Sequence, residues 1–323
     1  MPDPRVALFL VDEANEFQRL LQLDAKASAS RAGLQLETFY SGIDFARQLA
    51  QIQECLDHAR PEAILVMCVN DGGLLRVARR AAQSGVHVIL LNGSQDDLAA
   101  VRAEYPQVAI AVVCPDELET GRIQGRQFRR LVPPRGRVLY VQGRVRSQAA
   151  RDRTAGMLET VSGAPFDVVP IEAGWTMVDG REAVGGWLRM TLRVNRHVDL
   201  IGCQNDALAQ GVLQALEAVA SELGRPEIAR IPVTGCDGSP ALGQPLVRRG
   251  VLRATVVLPR STDPAVEIVD RVLRTGELPP PTVLLKASSF PNEDELSVLG
   301  LLSRPGGAAL REATDTLPPR PSS

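Results

Sequence analysis

Polar and aromatic side chains stand in this sequence where apolar, strand-like runs end. The apolar run at residues 198–203 gives way abruptly to Gln204, Asn205 and Asp206, and a helix-like run follows at once. In an open parallel sheet, ligands bind beyond the carboxyl ends of the strands, because helix N-termini and loop groups converge there. The positions chosen on this basis are Asn15, Phe17, Asn92, the loop from Gln142 to Arg153, Trp175, Asn205 with Asp206, and Asp237. Groups that donate and accept in pairs, next to an aromatic face, suit a small polyhydroxylated molecule such as a sugar.

Each of these residues also has an ordinary structural explanation. Asn15 and Asn205 precede helix-like runs, where an asparagine caps the helix by accepting a backbone N–H. Packing in a core explains Phe17 equally well. Packing is also open for Trp175, although the Gly174 before it and its place after a strand favour exposure to a cleft. Arg153 lies within a helix-like run, where an arginine is usually a solvated side chain. The residue types alone therefore leave both binding and structural roles open.

No set of residues in the sequence supports catalysis. His58 lies in a helix-like run, while His87 and His197 precede or begin predicted strands and so fall opposite the predicted ligand edge. The sequence lacks the GxSxG elbow, the GxxxxGK(S/T) phosphate loop, and a GxGxxG motif after the first strand. Asp206 and Asp237 are candidates for an acid and base pair, although an aspartate after a strand is more often a cap or turn residue. We expect a non-enzymatic protein without cofactor or metal.

The composition predicts a globular, soluble chain. Its 323 residues are 45% hydrophobic, which is enough for two cores, and its 36 Lys and Arg nearly balance its 38 Asp and Glu. This balance gives no strong field for nucleic acid or anionic lipid. The 5 cysteines have no CxxC spacing and are expected to be buried, reduced thiols. The N-terminus lacks the long apolar region of a signal peptide, so the chain as written is expected in the cytoplasm.

Apolar, β-branched runs alternate with amphipathic, helix-like runs along most of the chain. Such alternation predicts parallel sheets that are covered by helices on both faces. Pro133 and Pro134 break a helix-like run and separate two series of this kind, so we expect two α/β lobes. Residues 303–323 are rich in Pro and Ser and are predicted to be a disordered tail.

Several segments resemble the type I periplasmic sugar-binding proteins, the ribose-binding protein group, and the related effector domains of the lactose-repressor family. VQGRVRSQAARDRTAGM (residues 141–157) resembles the family's strand, QG turn and helix with its AAR-x-R-x-x-G pattern. CQNDALAQG is similar to the QND-x-x-A-x-G run, TGCDGSP to the G-x-DG-x-P turn, and ANEF to the NPFF-type segment. The resemblance extends from about residue 5 to residue 302.

The resemblance implies binding roles for individual residues of this chain. Arg153, Asn205 and Asp237 match the arginine, asparagine and aspartate that hold ligand hydroxyls in the family, and Trp175 matches a stacking aromatic residue. The ANEF segment carries binding roles onto Asn15 and Phe17, and Asn92 follows the fourth predicted strand.

Three departures separate this chain from the ribose-binding proteins. Asn92 and Gly93 stand where those proteins have an Asp-Arg pair that clamps the sugar. Val11 stands where a polar residue is common, and no glutamine lies near Val257. The resemblance therefore does not specify ribose as the ligand.

The fold implied by the resemblance has two Rossmann-like lobes with parallel sheets, joined by three crossovers that form a hinge. The N-terminal lobe is expected at residues 4–116 and 258–281, and the C-terminal lobe at residues 117–257 and 282–302. A ligand in the cleft between such lobes is enclosed when the hinge closes.

The implied function is non-enzymatic binding of a small, sugar-like molecule by the substrate-binding component of an ABC-type importer. Its expected partners are this ligand and an ABC permease or a sensor protein, with no nucleic acid and no insertion into the membrane. The alternative is a cytoplasmic ligand-sensing effector protein without its own DNA-binding domain. The periplasm is the usual compartment of the family, in conflict with the missing signal.

Overall fold

The computed structural model describes residues 3–70, 73–93, 98–191 and 197–296. The chain divides into two compact units. Unit 1 consists of Met1–Glu117, Arg146–Arg151 and Pro259–Lys286, and unit 2 of Leu118–Val145, Asp152–Leu258 and Ala287–Ser323. The predicted disordered tail, residues 303–323, lies outside the described residues.

Strands and helices alternate along the described chain as the apolar runs predict. The strands are β1 (Arg5–Leu10), β2 (Gln35–Tyr40), β3 (Ala63–Val66), β4 (His87–Leu90), β5 (Ile110–Pro115), β6 (Arg137–Gln142), β7 (Asp167–Glu172), β8 (Leu200–Cys203), β9 (Val233–Thr234), β10 (Thr255–Val257), β11 (Thr282–Leu285) and β12 (Ser288–Phe290). The α-helices are α1 (Glu16–Ala32), α2 (Phe45–Glu54), α3 (Leu74–Gln83), α4 (Ala99–Glu104), α5 (Glu117–Leu131), α6 (Gln148–Val161), α7 (Met177–Thr191), α8 (Asp206–Leu223), α9 (Gly243–Arg248) and α10 (Thr262–Thr275).

Unit 1 contains a parallel sheet with the strand order β11-β5-β4-β3-β1-β2. Successive residues of the inner strand β1 point to opposite faces, so Val6 and Leu8 pack in one core and Ala7 and Phe9 in another. The first core includes residues of α1 and α10, and the second includes residues of α2, α3 and α4. Both faces of the sheet are therefore apolar, which explains why β1 reads as a continuous hydrophobic run.

The strand β11 belongs to unit 1, although the sequence prediction assigned residues 282–302 to the C-terminal lobe. Thr282 to Leu285 pair in parallel with Val112 to Pro115 of β5 and form the edge of the unit 1 sheet. The prediction is wrong for these four residues because a short apolar run does not identify which of two sheet edges it joins.

Unit 2 contains a parallel sheet with the order β7-β6-β8-β9, and a second pair of strands, β10 and β12, runs antiparallel. Single bridges from Thr234 to Ala254 and from Asp237 to Val257 continue the pairing toward β10. Residues of α7 and α8 pack on one face of the sheet, and residues of α5 and α6 on the other. The sequence did not predict β12, whose SSF residues lack an apolar run.

The cysteines are as the sequence predicts. All 5 cysteines are buried thiols. Burial raises the pKa of the Cys55 thiol to about 11, so that this thiol is neutral near pH 7.

Among the described helices, none combines the length and the apolar character that crossing a membrane requires.

Candidate ligand-binding site

The tripeptide Gln204–Asn205–Asp206 follows β8 in the interior of the unit 2 sheet, and its side chains bond to three different loops. Gln204 is fully buried and accepts a hydrogen bond from the Gly143 N–H, 2.8 Å away, at the end of β6. Its amide nitrogen donates to Tyr140 Oη (3.1 Å) and Thr154 Oγ1 (3.0 Å). The Gln204 side chain therefore holds the turn after β6 against the middle of α6.

Asn205 caps α8 and also holds the loop after β7. Its Oδ1 accepts from the Leu208 N–H at 2.7 Å, which satisfies one of the free donors at the helix start. Its Nδ2 donates to the Trp175 carbonyl oxygen at 2.9 Å, and the residue is only 3% exposed. The capping explanation considered from the sequence is correct for Asn205. It accounts for the hydrogen bond to Oδ1, whereas Nδ2 holds the loop after β7.

Asp206 is the first residue of α8 and does not act as its cap. Its two carboxylate oxygens accept hydrogen bonds from Thr255 Oγ1 and from the Gly238 N–H, each at 2.8 Å. These partners belong to β10 and to the turn after β9. The carboxylate therefore joins two neighbouring segments, and the sequence interpretation of Asp206 as the helix cap is wrong.

Arg153 is buried, with 5% of its surface exposed, although it lies on a helix. Its Nη1 donates to the Gln204 carbonyl oxygen at 2.5 Å, and its guanidinium carbon lies 5.7 Å from the centre of the Trp175 ring. The helices α5 and α6 make this position possible by close approach, because a Cβ on Gly121 would overlap the Arg153 carbonyl. The solvated interpretation of Arg153 is therefore wrong.

Trp175 is partly buried in the loop between β7 and α7. Its indole lies against Gly143, where a Cβ would overlap the six-membered part of the ring. This contact gives a physical reason for glycine in the QG turn after β6. Unit 2 therefore brings Arg153, Trp175 and Asn205 together at the carboxyl edge of its sheet.

Asp237 lies in the turn after β9, with an unfavourable backbone conformation for a residue that has a side chain (φ 105°). Its N–H donates to the Val256 carbonyl at 3.0 Å, and its own carbonyl accepts from the Leu258 N–H at 3.1 Å. The residue is partly buried. The surrounding backbone therefore fixes a conformation that the chain would otherwise avoid.

Unit 1 positions Asn15 and Phe17 after β1. Asn15 caps α1, because its Oδ1 accepts from the Gln18 N–H at 3.2 Å. Phe17 is partly buried against the core formed with α1 and α10. Gln18, which the sequence did not single out, accepts from the Val11 N–H at 2.7 Å and so shapes the end of β1.

Asn92 forms a paired hydrogen bond with the backbone of the loop after β3. Its Oδ1 accepts from the Cys68 N–H at 2.9 Å, and its Nδ2 donates to the Cys68 carbonyl at 3.0 Å. Gln48 holds the same loop, donating to the Met67 carbonyl (2.8 Å) and accepting from the Val69 N–H (3.0 Å). The strand order places Asn92 two strands away from β1, with β3 in between.

A buried chain of polar groups supports the unit 2 residues and was missed from the sequence. Tyr140 Oη donates to Gln124 Oε1 at 2.6 Å, and Gln124 Nε2 donates to the Cys203 carbonyl at 2.8 Å. Burial raises the pKa of the Tyr140 hydroxyl, so that it keeps its proton at any ordinary pH. Two sequence signals could have indicated this chain of polar groups. They are a tyrosine inside the apolar run of β6 and a glutamine on the core-facing side of α5.

The described residues include no group of three or more His, Cys, Asp or Glu that could hold a metal ion. A groove of about 600 Å³ in unit 2 runs beside β7 and α7. None of the predicted ligand residues lines this groove.

The chain belongs to the periplasmic binding protein domain family, which its residues 6–260 match. It is 26% identical over 277 residues to the ribose import binding protein RbsB of Escherichia coli, covering 85% of this chain and 86% of that one. A relative from Rhizobium meliloti is 26% identical over 195 residues, and the match spans 59% of this chain and only 60% of that protein.

A solved structure with the same fold is the ABC transporter periplasmic solute-binding protein from Actinobacillus succinogenes with bound D-allose. Its TM-score is 0.77 at 17% identity, with 91% of this chain and 99% of that chain covered. The family membership confirms the resemblance inferred from the sequence and the prediction of a binding protein rather than an enzyme.

Proposed function

We propose that this protein is a non-enzymatic binding protein for a small, sugar-like solute and serves as the substrate-binding component of an ABC-type importer. The observation that carries the proposal is the grouping of Arg153, Trp175 and Asn205 at the carboxyl edge of the unit 2 sheet. A guanidinium and an amide donate to hydroxyl oxygens, and an indole face packs on the C–H face of a sugar ring. The ribose and D-allose named for the relative and the solved structure support this ligand class.

The proposed binding residues of unit 2 are Arg153, Asn205 and Asp237, which bind ligand hydroxyls, and Trp175, which stacks on the ring. The candidates within unit 1 are Asn15, Phe17 and Asn92, which follow β1 and β4. The amide of Asn92 can form further hydrogen bonds beyond the pair it makes with Cys68, because an amide carries two N–H groups and two lone pairs.

A thermal-shift screen of pentoses, hexoses, furanoses and cyclitols tests the proposed function. Arg153→Lys keeps the charge but loses the planar fork, so we expect the melting temperature to rise with ligand in the wild type and much less in this variant. Arg151→Lys is the matched control, since Arg151 is exposed on the same helix. Folded wild-type protein that no compound stabilises at millimolar concentration would contradict the proposal.

A further inference from the structure

The Asp206 carboxylate occupies a closed compartment between α8, β10 and the turn after β9. The residue is 1% exposed, and its hydrogen bonds include those from Thr255 Oγ1 and the Gly238 N–H. Thr255 is fully buried as well. A carboxylate removed from water in this way depends on such donors, and its position is correspondingly fixed.

Two glycines complete the compartment. A Cβ on Gly235 would overlap Asp206 Oδ1, and a Cβ on Gly243 would overlap Asp206 Oδ2. Both overlaps are with carboxylate oxygens, so the two glycines leave the space that the carboxylate fills. The turn after β9 and the start of α9 are therefore shaped around Asp206.

Asp237 lies directly before the glycine whose N–H Asp206 holds. Its φ of 105° is strained, and the φ of Gly238 is 57°. A Cβ on Gly238 would meet the Val257 Cα at 2.5 Å, so the turn also lies close to β10. A strained residue keeps its conformation only where the surrounding structure over-determines it.

We propose that Asp206 is a positioning residue for ligand binding: it holds the Gly238 N–H and the β10 strand so that the adjacent Asp237 presents its carboxylate in the binding geometry. This inference rests on the proposed function, because it takes Asp237 to contact the ligand. Asp206 itself contacts no ligand in this proposal and acts through the turn.

Threonine 255 provides a matched pair of variants. Thr255→Ser keeps the hydroxyl donor, whereas Thr255→Val is nearly isosteric and removes it, leaving Asp206 with one donor fewer. We expect Thr255→Val and Asp206→Asn each to weaken binding of the best sugar from the screen about tenfold, and Thr255→Ser to stay within about twofold. Hydrogen exchange of the backbone amides at residues 237–239 should become faster in Thr255→Val and in Asp206→Asn. It should not change in Thr255→Ser.

Two further comparisons separate positioning from general stability. Leu188→Ala weakens the unit 2 core on α7 away from the turn, so it should lower the melting temperature without changing exchange at residues 237–239. In an Asp237→Ala background, Asp206→Asn should cost no further affinity, because both changes remove the same contact.

The exchange measurement needs no ligand, so the positioning inference can fail or hold apart from the proposed function. Unchanged exchange at residues 237–239 in both Asp206→Asn and Thr255→Val overturns it. The inference is also overturned if the losses of affinity from Asp206→Asn and Asp237→Ala add in the double variant. Faster exchange in a protein that binds no sugar supports the turn geometry and rejects the proposed function alone.

Discussion

At the scale of single residues, amide side chains fix the ends of the strands in both units. Gln48 and Asn92 each donate to and accept from the loop after β3 in unit 1. In unit 2, Gln204 accepts a hydrogen bond from the loop after β6, and Asn205 donates one to the loop after β7. An amide suits this role because one planar group satisfies both a backbone N–H and a backbone carbonyl. The proposed ligand residue Trp175 therefore lies on a loop that the side chain of Asn205 holds.

Trp175 allows a direct test of stacking in the proposed site. Trp175→Ala should weaken sugar binding about tenfold, or about 1.4 kcal/mol, because the ring contributes both apolar area and C–H contacts. Trp175→Phe should lose less. The chain has 2 tryptophans, so in a Trp187→Phe background the intrinsic fluorescence comes from Trp175 and its change on titration reports the ligand. Trp187→Phe alone is the control, and equal affinity in all variants would exclude stacking.

His87 gives a pH dependence of stability. Its Nδ1 accepts from the Ala109 N–H at 3.0 Å, and burial lowers its pKa from the ordinary value of 6.5. Below pH 6.5 the unfolded chain therefore binds a proton that the folded chain resists, so this contribution to stability is complete above pH 6.5 and falls as the pH decreases toward the lowered pKa.

The wild type should therefore lose melting temperature more steeply than His87→Gln between pH 6.5 and 5. Glutamine can still accept from the Ala109 N–H but does not titrate. The exposed His58, changed to glutamine, is the control and should keep the wild-type slope. A slope that is the same in all three proteins would show that His87 does not carry the effect.

At the scale of elements, α7 and α8 pack backbone against backbone through glycines. A Cβ on Gly211 would overlap the Met177 carbonyl oxygen, and one on Gly180 would lie 2.6 Å from the Leu208 carbonyl oxygen. Gly211→Ala should therefore lower the free energy of unfolding by about 1–3 kcal/mol, because the helices must separate.

The control for Gly211→Ala is Gly186→Ala in the interior of α7. No heavy atom lies within 4 Å of a Cβ at this position, so alanine should raise the free energy of unfolding by about 0.5–1 kcal/mol through helix propensity. Urea unfolding followed by circular dichroism measures both variants. Similar effects of the two substitutions would contradict the close packing.

The elements that the sequence predicted correctly are those with long, continuous patterns. The helices α3 and α5 are of this kind, since Gly, Pro and polar residues flank clear apolar periodicity. The short α4, α9 and β12 were missed, because six or fewer residues give too little periodicity to distinguish helix, strand and turn.

The candidate site was predictable as a set of positions but not as a set of contacts. Strand ends identified Asn205 and Trp175, whereas the burial of Arg153 depends on the approach of α5 and α6, which no local pattern contains. The partners of Asp206 lie 32 and 49 residues further along the chain. Such long-range pairing follows from the order of strands in the sheet and not from spacing in the sequence.

At the scale of the whole molecule, each unit is assembled from separate parts of the chain. The helix α10 and the strand β11 follow the segment Asp152–Leu258 of unit 2 in sequence but belong to unit 1. Ala265, Val266 and Val269 of α10 are at most 1% exposed and pack in the same core as Leu21 and Ala25 of α1. The core of unit 1 is therefore complete only when the chain has returned from this segment of unit 2.

A chain that ends at Leu258 should consequently lack a folded unit 1. Removal of α10 leaves the apolar side of β1 and α1 open to water, at a cost of roughly 25 cal/mol for each Å² of exposed apolar surface. We expect this shorter chain to bind a dye that recognises exposed hydrophobic surface. The backbone amides of β1 and β3 should lose their protection from hydrogen exchange. A chain that ends at Leu296 keeps every described element and is the control, which should retain that protection. Protected β1 amides in the shorter chain would show that residues 1–117 form a stable core without α10.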